Sequence, residues 1–416
     1  MALQFILGPS GAGKSKYIYE DIIRRTMQDE RENVIVLVPE QYSLEIQRKL
    51  VQKHPRGGSF QIDVIGFNRL AYRIFDELHI KPKKVLEDFG KSMLLRKAAQ
   101  EHKEELSLYA GSLDKAGFID EAKSLMSEIY QYDIPRERLR EALQKLDDSE
   151  EARVLARKLQ DMLVIFDAFE EKKGQAFIVA EQMLELLTAA AEQSEMIAGS
   201  EIVLDGFTGF TPIQLNLISV LLRRAKKVTI VLTIDAATYE KKHVAEHELF
   251  ALTKQTIEHL LLTAEQAHVV VEPALFLGKD GCKRWSKGHP LAHLEQNLFR
   301  YPYRVGKDEE QAITITAYDT PAQELTGVAE QIRTLVMEQG YRYRDIAIVS
   351  GNLEETAEFA KRILPQYEIP YFIDMTMPVK NHPCVDALTH VLRIVDENFS
   401  YDSCLLYTSE LPTKLE

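Results

Sequence analysis

Short apolar runs and helix-period stretches alternate along the first eighty residues. Leu3–Leu7 and Val34-Ile-Val-Leu-Val38 are unbroken aliphatic runs, the pattern of parallel strands buried on both faces. Between them, Lys14 to about Glu32 repeats its apolar positions at helical spacing and predicts an amphipathic helix. Ile62-Asp-Val-Ile65 predicts a third strand, and Phe67–Leu78 a second helix. Together these make a strand–loop–helix–strand unit of the α/β type.

From Val85 to Gly199 the pattern changes. Leu, Ala, Glu and Lys dominate, breakers such as Pro135 and Gly174 are sparse, and the expectation is several helices with almost no sheet. Strand signals return at Ile202-Val-Leu204 and Val228–Ile234, separated by a helix over Pro212–Arg224. The simplest organisation is an α/β domain in two parts, 1–84 and 200–300, interrupted by a helical insertion at 85–199. A second α/β domain is expected over 301–403, with strands at Ile313-Thr-Ile-Thr316 and Ile346-Ala-Ile-Val349 flanking a helix over Ala322–Gln339. Residues 404–416 stand apart. Cys404-Leu-Leu-Tyr-Thr-Ser409 resembles translated adapter sequence from a sequencing library, so a non-native tail is expected after a natural segment ending near Tyr401. An ordinary divergent terminus is the other reading, and neither enters the fold argument.

Composition narrows the class without choosing a function. At 416 residues with 45% hydrophobic and 28% charged positions, the chain is a multidomain globular protein and neither disordered nor fibrous. Its three cysteines, Cys282, Cys384 and Cys404, are too few and too scattered for a disulfide framework or a cysteine zinc site. That predicts a reducing, cytoplasmic compartment. Met1–Leu7 lacks a basic leader, and no apolar run approaches the roughly 20 residues of a membrane span, so no membrane partner is expected. The net charge of −13 is uneven. Residues 1–100 hold 17 Lys and Arg against 12 Asp and Glu, whereas residues 101–200 hold 12 against 22. A phosphate-facing surface in the first hundred residues and ordinary surface charge both fit this distribution.

The chemistry is clearest at Gly8-Pro9-Ser10-Gly11-Ala12-Gly13-Lys14-Ser15, which fits G-x-x-x-x-G-K-[ST] in full between a predicted strand and a predicted helix. Glycines let successive backbone N–H groups turn toward one anion. Lys14 would reach the β- and γ-phosphates, Ser15 would ligate Mg²⁺, and the helix adds its positive dipole end. This predicts an ATP–Mg²⁺ site. The site also needs an acid at the end of a neighbouring apolar strand, and Asp205 supplies it, as a tentative Mg²⁺ contact through water. Asp205 is also open to a plain reading as a strand-ending turn residue. Gly206 follows where a glutamate that positions the attacking water would stand, and a glycine can neither accept a proton nor orient water. Binding without turnover is the expectation.

With these residues placed, the chain resembles a superfamily 1 helicase of the UvrD type, and more closely the amino-terminal part of the B subunit of AddAB-type ATP-dependent helicase–nucleases. The resemblance runs over about residues 1–402. It is carried by Phe5–Ser15, Val38-Pro-Glu-Gln-Tyr-Ser43, Val64-Ile-Gly-Phe-Asn-Arg-Leu-Ala71, Leu204–Gln214, Asp345–Val349 and Glu368-Ile-Pro-Tyr371. It implies a RecA-like parallel sheet with an all-helical insertion and the start of a second RecA-like domain. It further implies a heterodimer with an AddA-type motor subunit, acting on single- and double-stranded DNA to process double-strand breaks and to recognise a recombination hotspot. A nuclease domain with Mg²⁺ and a 4Fe-4S cluster is implied for the parent subunit beyond residue 416, and Cys282 and Cys384 match no cluster spacing.

The departures support a motor-inactive subunit. Active relatives read Asp-Glu where this chain reads Asp205-Gly206; Leu232-Thr-Ile-Asp235 lacks a following Gln, and Ser350 stands where an arginine normally reaches the γ-phosphate. Asn68 and Arg69 align with a strand–helix turn that touches single-stranded backbone in the superfamily; Arg69 as plain surface is the other reading. Phe207, Phe210 and Tyr42 offer either stacking faces or core packing. Two rival functions stay open. A small-molecule kinase would need an arginine-bearing lid after the helical block, where no arginines cluster. A non-catalytic DNA-scanning scaffold is compatible with the resemblance.

Overall fold

The computed structural model describes residues 1–401 apart from 30, 82, 114, 147–148, 175, 279–282, 287, 308–311 and 376–381. Cys282, Cys404 and the tail at 404–416 lie outside the described residues. Two compact units are present, Met1–Ile313 and Thr314 onward.

The strands of the first unit are β1 (Ala2–Gly8), β2 (Asn33–Leu37), β3 (Ile62–Ile65), β4 (Lys84–Leu86), β5 (Phe177–Val179), β6 (Ser200–Leu204), β7 (Lys227–Thr233), β8 (Val270–Val271) and β9 (Leu275–Phe276). The main sheet runs β3-β2-β6-β7-β1-β8, with β9 also on β1, and every one of these pairings is parallel. This is the α/β parallel architecture expected of a RecA-like fold.

Side chains alternate across the strands and so divide between two cores. Leu3, Phe5, Leu7, Ile35, Leu37, Ile202 and Leu204 join one core, packed by helices Phe67–Glu77, Gln182–Ala191, Pro212–Arg224 and Ala251–Gln266. Ile6, Val34, Val36 and Val203 join the other, covered by helices Lys14–Gln28 and Ser43–Lys53. Buried on both faces, these strands read as continuous apolar runs, which is why they were visible in the sequence.

The region expected as one helical insertion divides between two cores. Helices Asp88–Glu101, Ala116–Gln131 and Glu150–Lys173 enclose their own core around Leu95, Ala98, Met126, Ile165 and Phe169. Helices Gln182–Ala191 and Glu195–Ala198 instead return to the main sheet through Met183, Leu187 and Ile197. The expectation of almost no sheet here misses β4 and β5, a parallel pair that joins the outgoing and returning chain at the neck of the helical block. Three-residue strands so far apart in sequence leave no local pattern to read.

Inside the block, Asp161 is buried, 1% exposed, and accepts the backbone N–H groups of Ser107, Leu108 and Tyr109 at 2.8, 2.8 and 2.9 Å and the Ser107 hydroxyl at 3.1 Å. These successive N–H groups form a concave nest that ties the loop to the helix. Burial alone would raise the Asp161 pKa, but the backbone donors outweigh it and hold the carboxyl below its ordinary range.

In the second unit, helices Pro321–Gln339 and Leu353–Ile363 pack through Leu325, Ala329, Ile332, Ala360 and Ile363. The strands expected at Ile313–Thr316 and Ile346–Val349 do not form among the described residues. Their apolar pattern is strand-like, but a strand exists only with a hydrogen-bonded neighbour, and neither segment has one here. Ile315 and Val349 are accordingly 94% and 92% exposed.

Asp161→Asn removes the charge that three backbone donors and a hydroxyl converge on. It is expected to lower stability by about 3 kcal/mol at neutral pH. A depressed folded pKa contributes fully above the unfolded value of about 4 and is lost as pH falls through the lower folded value. The gap between wild type and variant in urea unfolding should therefore narrow between pH 7 and pH 3.5.

Candidate nucleotide-binding site

Parallel pairing places the C-terminal ends of β1, β7, β6, β2 and β3 along one edge of the sheet, where ligands of α/β folds bind. The residues following those ends are Gly8–Ser15, Ile234-Asp235, Asp205-Gly206, Val38–Ser43 and Gly66–Arg69. Four stretches far apart in sequence thus meet a phosphate-loop candidate on one edge.

The loop is shaped by its neighbours. β9 runs close beside the end of β1, with Leu277 N–H donating to the Leu7 carbonyl at 2.8 Å. A Cβ at Gly8 would lie 2.4 Å from the Leu277 carbonyl oxygen, so only glycine fits. Gly11 and Gly13 then turn through left-handed backbone, at φ 73° and 88°, into helix Lys14–Gln28. The Lys14 ammonium donates to the carbonyls of Gly8 and Pro9, both at 2.9 Å, closing the loop on itself. Ser15 is exposed in the first turn of the helix.

Asp205 is buried, 5% exposed, and its backbone N–H donates to the Leu37 carbonyl at 3.0 Å. Its Oδ2 accepts the hydroxyl of Tyr19 at 2.6 Å. Burial first, then the charge of Asp205, pushes the Tyr19 phenol far up, so it is a neutral donor to the carboxylate. The residue after Asp205 carries its own constraint. Gly206 adopts φ 84°, with its would-be Cβ 3.4 Å from Pro39 Cδ. A glutamate at this position would be strained in this backbone.

The turns beyond β2, β3 and β6 interlock. Glu40 accepts the Asn68 backbone N–H at 3.0 Å, and a Cβ on Gly66 would collide with the Glu40 carboxyl at 2.2 Å. Phe207 packs against Phe67 at 5.5 Å and against Phe210 at 5.3 Å, both Phe207 and Phe210 partly buried on the main core. These two rings pack rather than offer open stacking faces, whereas Tyr42 is 44% exposed. Asn68 and Arg69 are both exposed in the first turn of helix Phe67–Glu77. Asp235 caps helix Ala236–Glu240 through the Thr238 N–H at 2.6 Å and pairs with Arg300 at 2.7 Å. In the second unit, Ser350 hydrogen-bonds Thr356 at 2.6 Å beside the start of helix Leu353–Ile363.

The sequence model of the family described as "ADDB, N-terminal" matches residues 5–295. The chain belongs to the AddB family. It is 38% identical to a protein of Lachnoclostridium phytofermentans over 97% of this chain and 35% of that protein. Similar proteins occur in Clostridium novyi (31% identity; 98% of this chain, 35% of the relative) and Alkaliphilus metalliredigens (32%; 97% and 34%). Each of the three is named as the B subunit of an ATP-dependent helicase/deoxyribonuclease. The chain spans about a third of the length of these AddB relatives.

The residues present suit a triphosphate with its metal. The loop has a side-chain-free start at Gly8, a cation at Lys14, a hydroxyl at Ser15 and an acid at Asp205 on the same sheet edge. Such a metal, held by Ser15 and water-bridged to Asp205, would neutralise phosphate charge. Among the described residues Cys384 is exposed, and no group of three His, Cys, Asp or Glu side chains is placed to hold a metal. No described helix is long and apolar enough to cross a membrane.

Sequence reasoning missed Tyr19, Glu40 and Arg300. Tyr19 had one usable signal, its place four residues after Ser15 on the same helix face. Glu40 lay within the Val38–Ser43 stretch, but its partner Asn68 is set by the fold and was not visible, and Arg300 had no signal. Gly206→Glu is expected to lower stability by about 1–2 kcal/mol, from left-handed strain and crowding at Pro39. A thermal melt beside the wild type, expected to show a lower Tm, measures it.

Proposed function

We propose that this chain is the nucleotide-binding, motor-inactive helicase-like part of the B subunit of a heterodimeric ATP-dependent helicase/exonuclease that processes DNA double-strand breaks. The observation carrying this reading is an intact Gly8–Ser15 loop on the sheet edge that also holds Asp205, followed by a glycine in left-handed backbone. Lys14, Ser15 and Asp205 retain what binding needs, and the position that would orient water offers no side chain. The names of the relatives support the parent activity, and the remaining two-thirds of their length is where a nuclease with its own metal sites, including a 4Fe-4S cluster, would reside. An AddA-type motor subunit, single- and double-stranded DNA, hotspot recognition and a cytoplasmic setting belong to the same proposal. So does the division into a RecA-like domain at 1–84 and 200–300, a helical insertion and a second RecA-like domain.

Lys14→Ala is expected to weaken binding of a fluorescent ATP analogue about a hundredfold, through loss of a charged donor to two phosphates. The wild-type chain should bind the analogue yet show no DNA-stimulated hydrolysis. Turnover near ten per second, an ordinary enzymatic rate, would refute the motor-inactive reading.

For DNA, Arg69 is proposed as a phosphate contact beside Asn68. Arg69→Ala should weaken single-stranded DNA binding about threefold and reduce the salt slope by about one. Fluorescence anisotropy across a salt series measures both, and an unchanged slope would return Arg69 to ordinary surface.

A further inference from the structure

Asp205 is fixed at its backbone but not by its backbone alone. Its N–H is held by the Leu37 carbonyl at 3.0 Å, and the next residue is locked in a left-handed turn against Pro39. What remains free is rotation of the carboxylate. Among the described residues, the side chain that stops that rotation is Tyr19, whose hydroxyl donates to Oδ2 at 2.6 Å across 186 residues of sequence. Tyr19 is 5% exposed and packs in the core with Ile18 and Ile22, so the phenol arrives on a rigid support. It also sits one helical turn behind Ser15, on the same face of the helix. The hydroxyl and the carboxylate expected at a bound metal are therefore referenced to each other through one buried side chain.

We propose that Tyr19 is a positioning residue for the magnesium-dependent part of nucleotide binding. By occupying Oδ2, it presents Oδ1 of Asp205 to a metal-bound water. This rests on the nucleotide-site reading above and adds to it a residue that neither the loop motif nor the acid motif contains. A purely structural tyrosine would contribute ring packing alone, and Tyr19→Phe keeps the ring.

The test titrates a fluorescent ATP analogue into the 416-residue chain, once in excess Mg²⁺ and once in EDTA, and takes the ratio of the two dissociation constants as the metal enhancement. Tyr19→Phe should leave the EDTA affinity unchanged and reduce the enhancement about three- to tenfold, the net worth of one ordinary hydrogen bond. Asp205→Asn should reduce the enhancement at least as much while Ser15 retains part of it, and adding Tyr19→Phe to it should change nothing further. An unchanged enhancement in Tyr19→Phe overturns the proposal, as does an equal loss in both backgrounds, which would mean that Tyr19 does not act through Asp205. Should Tyr19→Phe fail to fold, Asp205→Glu displaces the carboxylate from the phenol while leaving Tyr19 in the core. Full enhancement in that variant equally overturns the proposal. Absence of nucleotide binding by the wild type would defeat the nucleotide-site reading itself. Normal binding with an enhancement insensitive to Asp205→Asn would defeat only the role of Asp205 and, with it, that of Tyr19.

Discussion

Everything at the site depends on β7 lying between β1 and β6, parallel to both. Its register sets Gly8 opposite Thr233 on one side and Leu204 opposite Ile230 on the other. That single arrangement brings the phosphate loop and Asp205 to the same edge of the sheet. The ladder is fully buried along its centre, with Leu7, Leu204 and Ile230 each 0% exposed, so the spacing cannot adjust without opening the core. Alternate residues of these strands fill two different cores, so slipping one strand by a residue would exchange the side chains fitted to each core and disturb the packing of both.

On that frame the turns are fitted to one another more than to solvent. Pro39 meets Gly206, Glu40 meets Gly66 and Asn68, and Phe67 meets Phe207. The motif departure at Gly206 therefore has a packing side as well as a chemical one. The left-handed backbone at Gly206 is also what lets the chain turn tightly beside Pro39, after β2. A reversal by one substitution would restore a side chain but not a conformation that can aim it.

What the sequence made legible was whatever repeats locally. Leu3–Leu7, Val34–Val38 and Val228–Ile234 are read from apolar continuity, and the Gly8–Ser15 loop from fixed spacing. Contacts set by strand order were invisible: Tyr19 with Asp205, Glu40 with Asn68, and Arg300 with Asp235. The neck strands β4 and β5 were too short to show a period. The opposite error arose at Ile346–Val349, where a strand pattern has no partner among the described residues. Pattern reports what a segment could pair with, and the fold decides whether a partner is there.

Charge shows the same limit. The excess of basic residues in the first hundred suggested a surface for phosphates, yet several of those residues are already held in ion pairs. Arg25 pairs with Asp21 and Glu201, Arg73 with Asp63, and Lys49 with Glu45. At the turn considered for DNA, the Asn68 N–H already serves the Glu40 carboxylate. A helix N-terminus holding an internal carboxylate has its dipole partly answered, so an incoming phosphate would compete with Glu40 rather than enter an empty cradle. Under the proposed DNA contact, affinity for a nucleic-acid backbone would depend on the exposed Arg69 and on the ease with which Glu40 yields, more than on the net charge of the segment.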